Sequence, residues 1–226
     1  DVFLSWFPLT HDMGLIGCLL QSVYTGFKCV LMSPQYFLER PVRWLEAISR
    51  FGGTISGGPD FAYRLCVERV KESALAGLRL DQWQVAFSGS EPIRADSLDN
   101  FAQKFAPCGF KPHQFFACYG LAEGTLFVTG GQRQQGVLRL EVDEIALAEN
   151  RVSSSSTAGK SMVGSGHQQT GHPVLIVDPQ TTAVLPEGEV GEIWAAGPSI
   201  ALGYWNNPTA TGNAFVARAG HTWLRT

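Results

Sequence analysis

Strand-like and helix-like segments alternate along residues 1–131, and this alternation limits the folds that the chain can adopt. Apolar residues recur at helical spacing from residue 14 to about 26, and the short apolar run KCVLM follows them. The alternation continues through RPVRWLEAISRF, TISGG, PDFAYRLCVERV, WQVAFSGS, RADSLDNFAQKF and HQFFACYG. It predicts an α/β fold with a mostly parallel sheet flanked by helices. Ligands of such sheets usually bind beyond the carboxyl ends of the strands, which here carry the loops SGSEP at 88–92 and YGLAE at 119–123.

The pattern changes after Gly131. Residues 132–166 are polar and serine-rich around one short apolar alternation, LRLEV, which is typical of an insertion that faces solvent. From 167 to 226 the segments HPVLIVDP, VGEIWAAG and SIALGYW return to a β pattern, which predicts part of a small β subdomain. The first residues, DVFLSWFPL, are strand-like without an initiator Met, and the last ones, GHTWLRT, are apolar, so we expect an internal fragment of a longer domain.

Composition and charge argue against several classes of protein. The net charge of -3 lacks the basic excess that neutralises phosphate backbones, so no nucleic-acid partner is expected. The most apolar stretch, GLIGCLLQSVYTGFKCVLM, is interrupted by Gln21, Gly26 and Lys28 and fails as a membrane span. The five cysteines are odd in number and lack CxxC spacing, which favours reduced thiols in the cytoplasm over disulfides or a zinc site.

Other short motifs are incomplete. The stretch AGKS at 158–161 lacks the glycine that a nucleotide phosphate loop needs at position 154. His167 and His172 have no neighbouring thiols or carboxylates for a metal site. A nucleophile elbow around Ser199 would need glycine at position 201, where the chain has alanine. The serine run at 153–156 is read as a flexible loop.

Several stretches, in order along the chain, resemble the fatty acyl-AMP ligases, which belong to the acyl-adenylating enzymes. They are SWFPLTHDMGLIG, ISGGPDFAYRLC, FSGSEPI, YGLAEGTLFVTGG, and VGEIWAAGPSIALGYWNNP followed by WLRT. The resemblance covers nearly the whole chain. HDMGL and the segment after YGLAE favour acyl-AMP ligases over acyl-CoA synthetases. The resemblance implies that a fatty acid is activated with ATP and passed to an acyl carrier protein.

The resemblance also implies a catalytic role for Glu123 and His11. Joining a carboxylate to the α-phosphate of ATP needs a divalent cation, and Glu123 offers a hard oxygen ligand for Mg²⁺. A magnesium ion would also explain why a carboxylate stands between two apolar strands. His11 can donate a hydrogen bond to a carboxylate or phosphate oxygen.

Two further sets of residues follow from the resemblance. In the first set, the flat ring of Tyr119 can stack on adenine and Gly120 allows a close approach of the backbone. The expected nucleotide-binding residues are Ser88, Gly89, Ser90, Glu91, Pro92, Cys118, Tyr119, Gly120, Leu121 and Ala122. The expected acyl-binding residues are Asp12, Leu15, Gly57, Gly58 and Phe61, among which the glycines would leave space for an alkyl chain.

Two alternatives stay open. A long-chain acyl-CoA synthetase performs the same first reaction with another acceptor, and an insertion at 132–166 that excludes CoA would distinguish the two. A non-catalytic adenylate-binding module is also possible, because Ala122 stands where the family often has a threonine that contacts phosphate.

Overall fold

Strands and helices alternate in the computed structural model, which describes residues 1–154 and 159–226. The strands are β1 (Val2–Ser5), β2 (Lys28–Leu31), β3 (Ile55–Gly57), β4 (Val85–Ser88), β5 (Phe115–Leu121), β6 (Leu126–Gly130), β7 (Arg139–Val142), β8 (Lys160–Val163), β9 (His167–Gln168), β10 (Val174–Val177), β11 (Glu192–Ala195), β12 (Phe215–Arg218) and β13 (His221–Arg225). The helices are α1 (Asp12–Gly14), α2 (Gln21–Thr25), α3 (Pro34–Glu39), α4 (Val42–Phe51), α5 (Asp60–Arg69), α6 (Glu72–Leu75), α7 (Ala95–Phe105), α8 (Glu144–Ala148) and α9 (Pro208–Ala214).

A seven-stranded sheet runs through the first part of the chain in the order β2-β1-β3-β4-β5-β6-β9. The strands from β2 to β5 pair in parallel, whereas β5 with β6 and β6 with β9 pair antiparallel. The predicted α/β fold with a mostly parallel sheet is therefore confirmed. The carboxyl ends of β4 and β5 bring the two predicted ligand loops to one edge of the sheet.

A small antiparallel sheet, β10-β11-β13-β12, follows and confirms the predicted β subdomain. The prediction of a strand at SIALGYW was wrong. Residues 199–205 are irregular, and both flanking and internal glycines, Gly197 at φ 133° and Gly203 at φ 146°, adopt a backbone that a regular strand does not. Helix α9 then follows this irregular stretch.

Interlocking aromatic rings form the core on one side of the large sheet. Trp44 of α4 meets Trp83 and Tyr63 edge to face at centroid distances of 5.3 and 5.6 Å. Tyr63 meets Phe101 of α7 at 5.0 Å. The indole N–H of Trp44 donates to the hydroxyl of Ser56 at 2.8 Å, so this buried polar group is satisfied. Helices α4, α5 and α7 therefore cover this face of the sheet.

One continuous helical stretch from α1 to α2 covers the opposite face of the large sheet. Its middle, Leu15–Leu20, is a π-helix, which sequence periodicity did not predict. The stretch ends at Gly26, whose φ of 70° allows a left-handed cap. A Cβ atom on Gly14 would lie 2.8 Å from the carbonyl carbon of Pro8, so only glycine lets the helix lie this close to the loop after β1. Among the described residues, no helix is both long and apolar enough to cross a bilayer.

The polar segment at 132–166 contains the hairpin of β7 and β8. Arg139 of β7 forms an ion pair with Asp99 of α7, with an N–O distance of 2.6 Å. The segment leaves the large sheet after Gly130 and returns at His167, and these two residues pair across β6 and β9. Residues 155–158 lie outside the described residues, and so do the parts of the serine run and of AGKS that fall there. The boundaries 1–131, 132–166 and 167–226 stay a prediction.

Candidate active site

The two predicted ligand loops are neighbours. The thiol of Cys118 on β5 donates to the carbonyl of Ser88 on β4 at 3.4 Å. A Cβ atom on Gly89 would lie 2.8 Å from the carbonyl oxygen of Cys118, so the close approach of the loops requires glycine there. The expectation that parallel strands bring these motifs together is met by the geometry.

Side-chain contacts fix the loop at 88–92. Ser90 adopts a left-handed φ of 69°, and its hydroxyl contacts the sulfur of Met13 at 2.8 Å. Glu91 accepts a hydrogen bond from the backbone N–H of Phe61 at 2.7 Å, which caps the first turn of α5. Pro92 is exposed, and the buried Ser88 hydroxyl has no hydrogen-bond partner among the described residues. The loop is therefore held between α1 and α5.

Tyr119 and Gly120 lie where β5 meets β6. The hydroxyl of Tyr119 donates to the hydroxyl of Thr226 at 2.7 Å, so this ring is anchored to the β subdomain. The strand register shifts between Tyr119 and Gly120, and a Cβ atom on Gly120 would collide with the backbone of Leu126. The fold itself therefore requires Gly120, independently of any nucleotide. Leu121 ends the strand and Ala122 begins the following turn.

Glu123 lies in the 3₁₀ turn Ala122–Gly124 and is partly exposed. One carboxylate oxygen, Oε1, accepts a hydrogen bond from the Tyr204 hydroxyl at 2.5 Å. The backbone carbonyl of Glu123 accepts from the N–H of Ala201 at 2.8 Å. The hydrogen bond to Glu123 raises the pKa of Tyr204. Sequence reasoning missed the role of Tyr204, although its GYW motif was part of the resemblance, because 81 residues separate it from Glu123.

The carboxylate of Glu123 fits a magnesium ion that is shared with a nucleotide. Among the described residues, no group of three or more His, Cys, Asp or Glu side chains could hold a metal ion. Mg²⁺ commonly binds one or two carboxylates and completes its shell with phosphate oxygens and water. Tyr204 engages Oε1 and leaves Oε2 of Glu123 for such a ligand bond. The donor set thus suits a metal that arrives with ATP.

His11 and Asp12 begin the helical stretch at the carboxyl end of β1. The Nδ1 atom of His11 lies 2.6 Å from Oδ1 of Asp12, which also accepts from the backbone N–H of Met13 at 2.7 Å. The same Nδ1 atom lies 3.1 Å from the backbone nitrogen of Met13, so the His11 side chain caps the start of the helical stretch. Nε2 is then the ring atom available to a ligand, and the His11 side chain is 52% exposed.

A cavity of about 420 Å³ lies between the helical stretch and the open face of the large sheet. We call it the central cavity. At the carboxyl ends of β4 and β5 its wall includes Gly89, Ser90, Tyr119 and Gly120, which belong to the two ligand loops, and we call this end the mouth. The rest of its wall is mainly apolar and consists of Phe3, Met13, Ile16, Gly17, Gln21, Phe27, Ile55, Val85, Phe87, Phe116, Cys118, Thr125, Leu126 and Phe127.

The expected acyl-binding residues lie outside the wall of the central cavity. Gly57 leaves no open space, because a Cβ atom there would collide with Phe87. A Cβ atom on Gly58 would lie 2.7 Å from the ring of Trp6. The remaining three, Asp12, Leu15 and Phe61, also contribute nothing to this wall. The core rather than an alkyl chain fills the space above the two glycines, and the acyl role of all five residues stays a prediction.

Comparison with known proteins supports the resemblance. Residues 1–205 match the family described as AMP-binding enzyme. A medium-chain fatty acid–acyl carrier protein ligase of Teredinibacter turnerae is 41% identical over 96% of this chain and 34% of its own length. A ligase of the same description from Moorena producens is 39% identical over 96% of this chain and 38% of its own.

A solved structure gives the same picture. The fatty acyl-adenylate ligase of L. pneumophila, in complex with acyl adenylate and pyrophosphate, superposes with a TM-score of 0.95. It is 40% identical in sequence, and the match covers 100% of this chain and 40% of that one. The chain thus spans well under half the length of the proteins that it matches.

Proposed function

The chain belongs to the AMP-binding enzyme family, and on that basis we propose that the complete protein is a fatty acyl-AMP ligase. It uses ATP to convert a fatty acid into an acyl adenylate and transfers the acyl group to an acyl carrier protein. The observation that carries this proposal is the central cavity, an apolar space of about 420 Å³ whose mouth lies between the two ligand loops. An apolar cavity beside a nucleotide loop suits a fatty acid better than a polar acid.

The proposed reaction joins two anions. A carboxylate oxygen of the fatty acid attacks the α-phosphorus of ATP, and the bond from that phosphorus to the pyrophosphate oxygen breaks. Mg²⁺, when bound, neutralises phosphate charge. Glu123 would hold that ion, while the hydrogen bond from Tyr204 fixes the orientation of the carboxylate. Tyr119 and the loop at 88–92 position the adenosine, and the alignment of the reacting groups supplies much of the catalysis.

In this proposal, His11 forms a hydrogen bond to the reacting groups at the mouth of the cavity. The contact of Nδ1 with Asp12 orients the ring, and Nε2–H would donate to the acyl carboxylate or to a phosphate oxygen. Such charge-assisted hydrogen bonds are stronger than neutral ones. The alkyl chain enters the central cavity, where burial of each CH₂ group contributes about 0.8 kcal/mol.

The segment at 132–166 is proposed to select the acceptor. The ion pair of Arg139 with Asp99 attaches its paired strands β7 and β8 to the outer side of α7. Strands attached there can limit access of CoA while a carrier protein presents its acyl acceptor from outside. We also assign the protein to a reducing compartment, the cytoplasm, because all five cysteines are free thiols.

The test uses the complete protein with ATP, Mg²⁺ and saturated fatty acids from eight to eighteen carbons. We expect fatty acid-dependent pyrophosphate release and an acyl adenylate that mass spectrometry detects. Transfer to a carrier protein that bears phosphopantetheine should exceed transfer to CoA. Efficient acyl-CoA formation would instead indicate an acyl-CoA synthetase. Binding of an acyl adenylate analogue without any turnover would indicate a non-catalytic binding module.

A further inference from the structure

We propose that Gly17 and Leu126 form a constriction of the central cavity just inside its mouth and that this pair determines which acyl chains the protein accepts. The inference rests on the proposed function, because it assigns the central cavity to the acyl chain. Neither residue was a candidate in the sequence. Both line the cavity, from opposite sides.

The position of Gly17 follows from the helical stretch. Met13, Gly17 and Gln21 recur every four residues and all line the central cavity, so they lie on one face of the stretch. Met13 contacts Ser90 at the mouth. Gly17 therefore lies about one helical turn beyond Met13 along this wall, inside the mouth.

The strands of the large sheet show in which direction the cavity extends from its mouth. Its mouth lies at the carboxyl ends of β4 and β5. Its far end lies near Phe27, which directly precedes β2, and near Phe3 and Val85, which belong to the first halves of β1 and β4. An acyl group held at the mouth would therefore extend along the sheet face and pass between Gly17 and Leu126.

Leu126 closes on Gly17 from the side of the sheet. A Cβ atom on Gly17 would lie 2.6 Å from Cδ2 of Leu126, which is closer than two carbon atoms can approach. Cδ2 is the tip of a flexible side chain, so it can turn away. The direction in which it can turn includes the cavity, since Leu126 is itself part of the wall.

The backbone of Leu126, in contrast, is held in place. Leu126 has a φ of 78° and follows Thr125 at a φ of 54°, so two successive residues occupy the left-handed region that favours glycine. The Thr125 hydroxyl donates to the carbonyl of Ser199 at 2.5 Å. On the other side, the absence of a side chain on Gly120 makes room for the backbone of Leu126. A side chain at position 17 therefore displaces only the tip of Leu126.

The pair has a simple consequence for substrates. With glycine at position 17, the space beyond Leu126 stays open to the end of a medium or long acyl chain. A larger residue there narrows the cavity at this point, either directly or through the tip of Leu126. Shortening Leu126 widens the same point and admits bulkier or longer chains.

The experiment compares Gly17→Leu and Leu126→Ala with the wild type in the complete protein. The readouts are kcat/KM for pyrophosphate release with acids from six to eighteen carbons and the Kd of acyl sulfamoyl-adenosine analogues of the same chain lengths. For Gly17→Leu we expect kcat/KM to fall at least tenfold, roughly, with the longest acids that the wild type accepts. With the shortest acids, kcat/KM should stay within about threefold of the wild-type value. Leu126→Ala should shift the preference towards longer or branched chains.

Gly212→Ala is the matched control, because a Cβ atom there meets nothing within 4 Å. If Gly17→Leu does not fold, Gly17→Ala and Leu126→Ala still test the pair through the Kd series. An unchanged chain-length profile in folded variants at both positions would overturn the inference. A wild type that binds the analogues but releases no pyrophosphate with any acid would refute the proposed function instead, and its Kd series would still test the constriction.

Discussion

Replacing Glu123 with glutamine tests the proposed metal site with little disturbance of the fold. The change keeps the side-chain volume and an amide oxygen in place of Oε1, so Tyr204 can still donate its hydrogen bond. The hydrogen bond between the Glu123 carbonyl and the N–H of Ala201 involves only the backbone and is unaffected. The negative charge and the free carboxylate oxygen Oε2 are removed.

We expect Glu123→Gln to change the free energy of unfolding much less than the barrier to adenylate formation. A hydrogen bond to a charged acceptor contributes about 1.5–3 kcal/mol and one to a neutral acceptor about 1 kcal/mol. Glu123 is partly exposed, so we expect the free energy of unfolding to fall by no more than about 1 kcal/mol. Loss of one preorganised electrostatic group raises a catalytic barrier by about 2–4 kcal/mol. The rate of adenylate formation should therefore fall roughly 30- to 1,000-fold.

The assay measures pyrophosphate release in the complete protein as Mg²⁺ is titrated, together with thermal unfolding. Binding of fatty acid should be nearly unchanged, because Glu123 is not part of the central cavity wall. Glu68→Gln, at an exposed position of α5, is the matched control for the loss of one charge. Pyrophosphate release at the wild-type rate in Glu123→Gln, with unchanged dependence on Mg²⁺, would refute the metal-binding role.

Three other changes probe the acceptor, the link to Tyr204 and the core. Deleting residues 132–166 should raise acyl-CoA formation in an acceptor assay without abolishing acyl-AMP formation, and a folded, adenylating variant without CoA product would contradict this. Tyr204→Phe should lower the melting temperature at pH 7. The pKa of Tyr204 is raised in the folded protein, so the stability that its hydrogen bond contributes is fully present below the ordinary pKa of 10.0 and is lost as the pH rises through the folded pKa. The melting temperatures of the wild type and of Tyr204→Phe should therefore converge at alkaline pH. Asp60→Ala removes the acceptor of hydrogen bonds from the Arg94 N–H at 3.0 Å, the Ser97 hydroxyl at 2.9 Å and the Arg64 side chain at 3.1 Å, and denaturant unfolding should show a loss of about 2–4 kcal/mol. A loss below 1 kcal/mol would mean that water replaces Asp60.

The regular part of the fold was predictable from local pattern. Periodicity and turn residues predicted the helical stretch before Gly26, the helix after Pro41 and the strand that ends at Ser88, because burial on one face imposes a period on the sequence. The irregular stretch at 199–205 was not predictable in this way. Its apolar residues suggested a strand, whereas Gly203 within it and Gly197 before it have positive φ values that interrupt strand pairing, and φ cannot be read from composition.

The site was predictable only in part. The sequence predicted that the loops at 88–92 and 119–123 lie close together, because both follow parallel strands and therefore lie at the same edge of the sheet. The partner of Glu123 was missed, since Tyr204 reaches it through a contact between distant segments. A Cβ atom would meet core rings at Gly57 and Gly58 and a residue of the cavity wall at Gly17, and the sequence alone does not distinguish these surroundings.

The pairing of Gly130 with His167 means that the segment at 132–166 begins and ends at almost the same point on the sheet. Gly166 lies so close to Gly130 that it leaves no room for a side chain. A segment with adjoining ends can be acquired or lost in a single genetic event, because a short connection can replace it without moving either strand. Acceptor choice would then evolve separately from the adenylating chemistry. Exchanging this segment between relatives is accordingly a direct route to enzymes that share a fatty acid substrate and differ in the acceptor of the acyl group.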